Sequence, residues 1–368
     1  MKITAIRTHH LRIPYDAGPA LFRFGVAAQP ALDTVLVEVA TDAGLTGWGD
    51  AFGYASPRTT AMAVGEMIAP QAVGHEAPEA AAIPAFMERI QRALHIFGRY
   101  GITMFAISGL DIALWDLAAK ARGVPLHRLL GTQKRSRIPA YASLLRIGDA
   151  ARVGEQAAAA VGRGYRAVKL HETTLPAVFA ARAAIGPDVA LMVDMNCPLD
   201  RDGAIAFAQA CQDARPKWIE EPVWPPEDVA SLAAVRTLGG VPVAAGENAC
   251  TVHQFHQMMT AGAVSFAQPS VIKVGGISEF IAVAALADRL GVALAPHSPY
   301  FGPGFLATLQ LLSLRDDASL VEVFYMQREA CLWGRRIEAD ASGHVAVPDG
   351  PGLGWEPDRA VMEKYRVG

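Results

Sequence analysis

The sequence predicts an α/β fold, a closed barrel of parallel strands preceded by a mixed α+β segment. Two observations predict it. From about Arg137 to Phe324, short apolar strands alternate with helical stretches at a steady pitch, and on both sides of that stretch the rhythm is absent. The strands read at 137–143, 165–171, 189–195, 217–220, 241–246, 264–269, 291–297 and 320–324. Between them lie amphipathic segments, such as Ile277, Phe280, Ile281, Ala284 and Ala285 at helical spacing. Strict alternation forces parallel pairing, and eight such units close into a (β/α)8 barrel. A doubly wound open sheet is the alternative that the pattern alone leaves standing.

In the first third, Val35-Leu36-Val37-Glu38-Val39 reads as a strand, Asp42-Ala43-Gly44 as a turn, and Leu45 to Trp48 as the returning strand. The clearest helix runs from Ile102 to Arg122, stopped by Gly123 and Pro125. After Phe324, Arg336-Ile337-Glu338 and His344-Val345-Ala346-Val347 read as a hairpin leading into PDGPGLGWEPD. This tail is expected to pack back onto the first domain. The resulting division is 1–122, 123–330 and 331–368.

Composition bounds the function. With 368 residues, 52% of them apolar, the chain can bury a large core without disulfides or a structural metal, and disorder is excluded. A net charge of −3 leaves no basic footprint for nucleic acid. The N-terminus, MKITAIRTHHLRI, lacks the apolar run of a signal peptide. The longest uncharged stretch, Gly291 to Leu314, is broken by Pro296, Pro299 and Pro303, which argues against a membrane span. Cys197, Cys211, Cys250 and Cys331 form no CxxC and read as reduced, mostly buried thiols of a cytoplasmic protein.

In a barrel of this type chemistry sits at the C-terminal ends of the strands. The polar residues there are Ser143; Lys169 and His171; Asp194 and Asn196; Glu220 and Glu221; Glu247 and Asn248; Ser270 and Lys273; His297; and Glu322. Asp194, Glu220 and Glu247 fall on successive strands, one βα unit apart. Adjacent strands lie about 4.8 Å apart, so three such carboxylates can converge on one ion. An all-oxygen set favours Mg²⁺, with Mn²⁺ as its substitute. The plainer reading is three separate carboxylates solvated at the barrel mouth. Lys169 and His171, two residues apart on one strand, face the same side. A buried ammonium beside the imidazole is expected to lower its pKa and keep it neutral. His297 lies across the mouth, so the two histidines are placed to address opposite faces of one substrate. Among weaker features, Gly275-Gly276 reads as a tight turn before a helix, His9-His10 as surface, and His253 and His256 as part of the outer helix layer.

Taken together, these residues resemble the enolase superfamily and, within it, the mandelate racemase-like group. The match includes Gly47-Trp48-Gly49-Asp50-Ala51, Ser108 to Asp116, Val193-Asp194-Met195-Asn196, Trp218-Ile219-Glu220-Glu221-Pro222, Ala245-Gly246-Glu247-Asn248, Gln268-Pro269, Lys273-Val274-Gly275-Gly276 and Pro296-His297. The resemblance implies a modified TIM barrel, (β/α)7β, under an α+β capping domain to which the C-terminal tail returns. It implies Mg²⁺ on Asp194, Glu220 and Glu247, and removal of the proton α to a substrate carboxylate to give an enediolate. Lys169 and Glu322, the latter in its acid form, are the implied helpers at the carboxylate oxygens. The superfamily is one of the standard cases of a Lys or His base working with Mg²⁺.

Two positions depart from the family pattern. The second lysine of its Lys-x-Lys is His171 here, and the base role is carried over to it. The Asp that pairs with the strand-seven His is Ser270, whose hydroxyl can orient His297 but cannot stabilise its imidazolium. His297 is therefore expected to donate a proton rather than accept one. That favours dehydration of an acid sugar to a 2-keto-3-deoxy acid over the alternatives, a racemase, epimerase or cycloisomerase. A barrel that binds a carboxylate without turnover is the alternative of a different class. The cap stretches Leu21-Phe22-Arg23-Phe24 and Phe52-Gly53-Tyr54 match the family's specificity loops. Arg23 suits a distal hydroxyl or a second carboxylate, the plainer reading being a solvated surface arginine, whereas Phe22, Phe24 and Tyr54 suit a less polar end. Ser143, Asn196, Ser270 and Lys273 complete the expected substrate-binding set. The expected partners are a small carboxylate and further copies of the chain, dimer to octamer, with neither nucleic acid nor membrane.

Overall fold

The structure is a computed structural model that describes residues 1–20, 23–24, 27–334 and 337–367, with 23–24 and 27–28 as backbone only. The first third forms strands β1 (Ile3–Asp16), β2 (Arg23–Phe24), β3 (Ala27–Ala28), β4 (Ala31–Thr41) and β5 (Thr46–Ala51). β1, β4 and β5 form an antiparallel sheet, with Val37 between Thr8 and Gly49. Helices α1 (Pro57–Ala63), α2 (Ala69–Ala72), α3 (Ile83–Ala93) and α4 (Ile102–Ala121) follow. α4 has the length and hydropathy of a membrane span, but 83% of that window is buried inside the protein.

The packing of α4 on β5 explains the glycines of the cap motifs. A Cβ at Gly49 would lie 1.8 Å from the Gly109 carbonyl oxygen, and one at Gly47 would lie 2.1 Å from that of Ala113. Strand and helix backbones therefore touch, which no larger residue allows. Asp116, buried on the same helix, accepts from Trp48 N at 2.8 Å and from Leu353 N at 2.7 Å, joining α4 to both β5 and the tail.

After α5 (Leu126–Leu130) the barrel begins. Its strands and helices alternate as β6 (Arg137–Ser143), α6 (Ala150–Gly162), β7 (Ala167–Leu170), α7 (Leu175–Ile185), β8 (Ala190–Asp194), α8 (Arg201–Ala210), β9 (Trp218–Glu220) and α9 (Val229–Leu238). They continue as β10 (Val243–Ala245), α10 (Thr251–Thr260), β11 (Phe266–Ala267), α11 (Gly276–Leu290), β12 (Ala293–Leu294), α12 (Pro303–Ser313) and β13 (Val321–Phe324). All eight strands read from the sequence are present, some shortened at their ends. They pair in parallel in chain order, and β13 returns to pair with β6. Seven helices join eight strands, the (β/α)7β arrangement. β12 and β13 share no ladder among the described residues. Instead the Ser298 hydroxyl bridges the seam, accepting from Glu322 N at 3.0 Å and donating to Glu322 O at 3.3 Å.

Inside the barrel Tyr141, Ala167, Met192, Trp218, Ala244 and Ala295 form an apolar floor. Two residues further along their strands come Ser143, Lys169, Asp194, Glu220 and His297. The period of two keeps these on the inner face, one layer above the floor.

The tail corrects two expectations. β14 (Gln327–Arg328) pairs with Tyr15 and Asp16 of β1, and α13 (Arg359–Tyr365) packs on β1, so the tail does return to the cap. β15 (His344–Ala346), however, pairs with Arg137–Pro139 of β6 rather than forming the expected hairpin with residues 336–338, of which Arg336 lies outside the described residues. β6 meets β7 only at Ala142 and Ser143, so its first residues leave an edge open to the tail. His9 and His10 are not surface residues either. His9 is buried between Glu38, at 2.6 Å, and Arg366 of the tail, at 2.7 Å, and His10 binds Asp33 at 2.6 Å. The returning C-terminus covers a strand that looks exposed in the sequence.

Asp50 joins cap to barrel. It is 2% exposed, and its Oδ2 accepts from Gly304 N at 3.3 Å at the start of α12. Burial pushes its pKa up to about 7, against this one compensating hydrogen bond.

Two outcomes are expected. Gly49→Ala should destabilise the protein by about 3 kcal/mol or more in urea unfolding, because its methyl group meets backbone rather than a movable side chain. A carboxyl whose pKa is raised in the folded state binds more protons folded than unfolded between its ordinary value and about 7. Its contribution therefore lowers stability as pH rises through that window. Asp50→Asn should flatten the decline between pH about 4 and 7, as read by unfolding midpoints across that range.

Candidate active site

The polar layer above the barrel floor is organised around Lys169, which is completely buried. Its Nζ lies 2.8 Å from Glu220 Oε1, 2.9 Å from Glu322 Oε1 and 3.1 Å from Asp194 Oδ2. Burial disfavours the ammonium, but Glu220 and Glu322 outweigh it and hold the pKa well above the usual lysine range. Glu220 also accepts from Trp218 Nε1 of the floor at 2.9 Å. Burial and the neighbouring Asp194 push its pKa well above the carboxylate range. Asp194 goes the other way: burial opposes ionisation, but Lys169 and His171 hold it down. One ammonium cannot keep every carboxylate around it ionised.

The two histidines flank this group. His171 Nδ1 donates to Leu144 O at 2.5 Å, and its Nε2 lies 3.2 Å from Asp194 Oδ2. His297 Nε2 lies 2.9 Å from Glu247 Oε2. Glu247 has its pKa held at about 2: burial works against ionisation, and His297 and Lys273 prevail. The acidic residues thus follow β8, β9 and β10, with one imidazole leaning on each outer member. Their carboxylate oxygens lie within 4.8 Å of one another.

Three expectations are corrected. His171 has its pKa raised rather than lowered; burial disfavours the imidazolium, but the Asp194 carboxylate outweighs it. The Lys169 charge that was expected to keep it neutral is shared among three carboxylates. Glu322 is held ionised rather than in its acid form: burial opposes this, but Lys169 dominates, with Ser143 Oγ donating at 2.7 Å. Ser270 does not orient His297, since Ser270 Oγ and His297 Nδ1 are both buried and neither finds a hydrogen-bond partner among the described residues.

The remaining expected residues divide. A cavity of about 900 Å³ opens over the cluster, lined by His171, His297, Glu247, Asn196, Lys273 and Tyr54, among others. Its volume suits a small-molecule ligand. Asn196, in a left-handed conformation at φ 54°, donates to Asp194 Oδ1 at 2.9 Å. Lys273 Nζ binds Asn248 Oδ1 at 3.0 Å and lies 4.9 Å above the Phe52 ring. Tyr54 donates to Pro299 O and packs on Phe52 with the rings tilted by 45° and their centroids 4.8 Å apart. Ser143 is fully buried and binds Glu322. Phe22 lies outside the described residues, as do the side chains of Arg23 and Phe24.

One site residue, Arg146, escaped the sequence reading, and two that it names, Asn248 and Gln268, are given no role there. Arg146 lines the cavity from the loop after β6, one step beyond the strand end that was searched. Asn248 links Lys273 to Glu221, donating to Glu221 Oε2 at 2.7 Å. Gln268 is fully buried with both amide atoms unpartnered, and the inward period of β11 was the signal that would have found it.

Asp194, Glu220 and Glu247 fit a divalent metal. They supply oxygen only, and Asp194 Oδ2 is buried without a well-aligned hydrogen bond despite the two nitrogens near it.

Comparison with known proteins agrees in fold and in length. Residues 152–361 match the family model described as enolase C-terminal domain-like, and residues 16–131 match the mandelate racemase / muconate lactonizing enzyme N-terminal domain. The chain is 34% identical to a D-galactarolactone cycloisomerase of Agrobacterium fabrum, over all of this chain and 99% of that one. It is 30% identical to a D-galactonate dehydratase of Ralstonia nicotianae, over 90% and 91% of the two chains. A racemase of Streptomyces coelicolor solved with bound magnesium superposes with a TM-score of 0.85 at 29% identity, covering 99% of this chain and all of that one.

Adding Mg²⁺ to chelator-treated protein should raise the thermal midpoint. Saturation at a hundred times Kd corresponds to about 2.7 kcal/mol of stabilisation. Asp194→Asn should abolish most of that rise, as read by calorimetry with and without Mg²⁺.

Proposed function

We propose that this chain, which belongs to the mandelate racemase / muconate lactonizing enzyme family of the enolase superfamily, removes the proton α to a carboxylate and dehydrates an acid sugar. The substrate class is an α,β-dihydroxy acid and the product a 2-keto-3-deoxy acid. The observation that carries this reading is the pair of imidazoles on opposite flanks of one buried carboxylate triad, each with Nε2 toward it.

Asp194, Glu220 and Glu247 would hold Mg²⁺, with Mn²⁺ as a substitute. When bound, the ion supplies a Lewis acid for the negative charge that builds on the substrate carboxylate. His171 is the base. Its Nδ1 proton is committed to the Leu144 carbonyl, which leaves Nε2 as the nitrogen that accepts the α-proton. His297 is the acid and delivers a proton from Nε2 to the departing β-hydroxyl. Lys169 and Glu322 set the charge balance beside the reacting oxygens. Asn196 and Lys273 brace the metal carboxylates from the cavity side. Ser143 acts through Glu322 rather than on substrate.

A second reading is favoured by the cycloisomerase relative: the same base opens a lactone by expelling the ring oxygen instead of hydroxide. Both are eliminations from the α-carbanion, so the residue roles carry over. The same proposal takes residues 1–122 as cap, 123–330 as barrel and 331–368 as returning tail. It takes the protein as a cytoplasmic homo-oligomer, dimer to octamer, with a small carboxylate as its ligand.

With Mg²⁺, D-galactonate and D-galactarolactone should be converted in D2O to 2-keto products followed by NMR. His171→Ala should abolish α-deuterium exchange and lower kcat by about 10²–10⁴-fold. His297→Ala should retain exchange while losing product. The reverse pattern would exchange the two roles. Exchange with no elimination would make the enzyme a racemase or epimerase. Binding with no exchange across an acid-sugar library would leave a carboxylate-binding barrel.

A further inference from the structure

The two histidines are held in different ways. The His171 ring is fixed at Nδ1, which donates to Leu144 O at 2.5 Å. His297 has its contact at Nε2, to Glu247, and its buried Nδ1 finds no hydrogen-bond partner among the described residues. Glu247 also belongs to the proposed metal set, so its oxygens are shared with the ion. Nor does the strand hold His297. β11 and β12 pair only at Phe266 with Ala293 and Ala267 with Leu294, and the bond from Ala295 N to Ala267 O, at 2.9 Å, stops two residues short of it.

Tyr300 supplies the missing hold. It is buried, and its hydroxyl donates to His297 O at 2.8 Å while accepting from Val271 N at 3.2 Å. One oxygen thus ties the carbonyl of His297 to the residue after Ser270, across the gap between the ends of β11 and β12. The phenol and imidazole centroids lie 6.2 Å apart, with the rings inclined at 62°. Burial pushes the phenol pKa up, with Ser270 close enough to influence it, so the hydroxyl keeps its proton and stays a donor. The turn from His297 to Tyr300 is fastened elsewhere too: the Ser298 hydroxyl accepts from Glu322 N at 3.0 Å, and Tyr54 of the cap donates to Pro299 O. Tyr300 does not line the cavity, so it acts through His297 rather than on substrate.

We infer that Tyr300 is the positioning residue of His297: bonded to the His297 carbonyl and to Val271 N, it fixes from the main chain the imidazole that a carboxylate at position 270 would fix from Nδ1. This deepens the reading proposed above and rests on it, because it assigns how the proton-donating imidazole is kept in place.

The test uses Tyr300→Phe, which removes the hydroxyl and keeps the ring. With Mg²⁺ in D2O, on whichever of D-galactonate and D-galactarolactone the wild type converts, the variant should lose about 10²-fold in kcat for elimination, the cost of an ångström-scale misplacement. KM and α-deuterium exchange, which depends on His171, should stay within about twofold of wild type. Crystal structures of the Mg²⁺-loaded wild type and variant should show the His297 ring displaced by about 1 Å and His171 unmoved. A His297 ring that stays in place, a displacement shared by His171, or unchanged elimination would each overturn the inference. Displacement of His297 alone with exchange lost as well would keep Tyr300 as its positioning residue and refute His297 as the acid. Should the wild type neither exchange nor eliminate, the proposed reaction fails, and the two structures alone decide whether Tyr300 holds the imidazole.

Discussion

The ammonium of Lys169 touches three carboxylates in a volume closed to water, and a fourth, Glu247, stands beside them against His297. Taking any of these charges out of water is costly, and a lone buried cation is repaid only if every neighbour is placed to meet it. Here the negative side is in excess. Part of the excess is relieved by protonation, as the upward shift of Glu220 indicates, and part by the imidazoles that lean on Asp194 and Glu247. The result is a site with a standing demand for positive charge. Removing Lys169 would leave carboxylates facing one another over an apolar floor. The same ammonium thus ties together carboxylates from three strands of the barrel mouth.

That arrangement tolerates little movement, and the scaffold around it is correspondingly tight. The cap is not a loose lid. Its strand β5 runs in backbone contact with α4, and Asp50 and Asp116 carry the join to α12 and to the tail. Asp111 makes a similar join, accepting from Ser278 N at 3.0 Å at the head of α11. Buried carboxylates at these helix starts are stabilised by amide dipoles, yet burial raises the pKa of Asp50 and Asp111 to about 7. The protein accepts that electrostatic cost at the seams between its parts.

Much of this was legible in the sequence because it follows from period and position. A strand in a closed barrel alternates inward and outward, so Asp194, Glu220 and Lys169 announce themselves as polar residues at the ends of apolar runs. Charge balance was harder to read. The sequence places Lys169 beside His171 but does not say that Asp194, from the next strand, lies nearer to the imidazole than the ammonium's influence can offset. Glu322 was misjudged for the same reason, since its ionisation depends on a partner from β7. Ser270 sits at the strand end where an orienting group was expected, but its hydroxyl is too short to replace a carboxylate. Arg146 escaped notice, and Gln268 was given no role, for opposite reasons. One lies just past a strand end in a loop, and the other is neutral and looks like core.

The N-terminal strand shows what the returning tail entails. β1 takes Gln327 and Arg328 as a partner strand, and Val367 N donates to His10 O at 2.9 Å. β1 therefore completes its hydrogen bonding with residues that lie far later in the sequence. Until Arg366 and Val367 have been synthesised, His9 and His10 lack these partners, and the cap stays unfinished while the barrel segment between them is made.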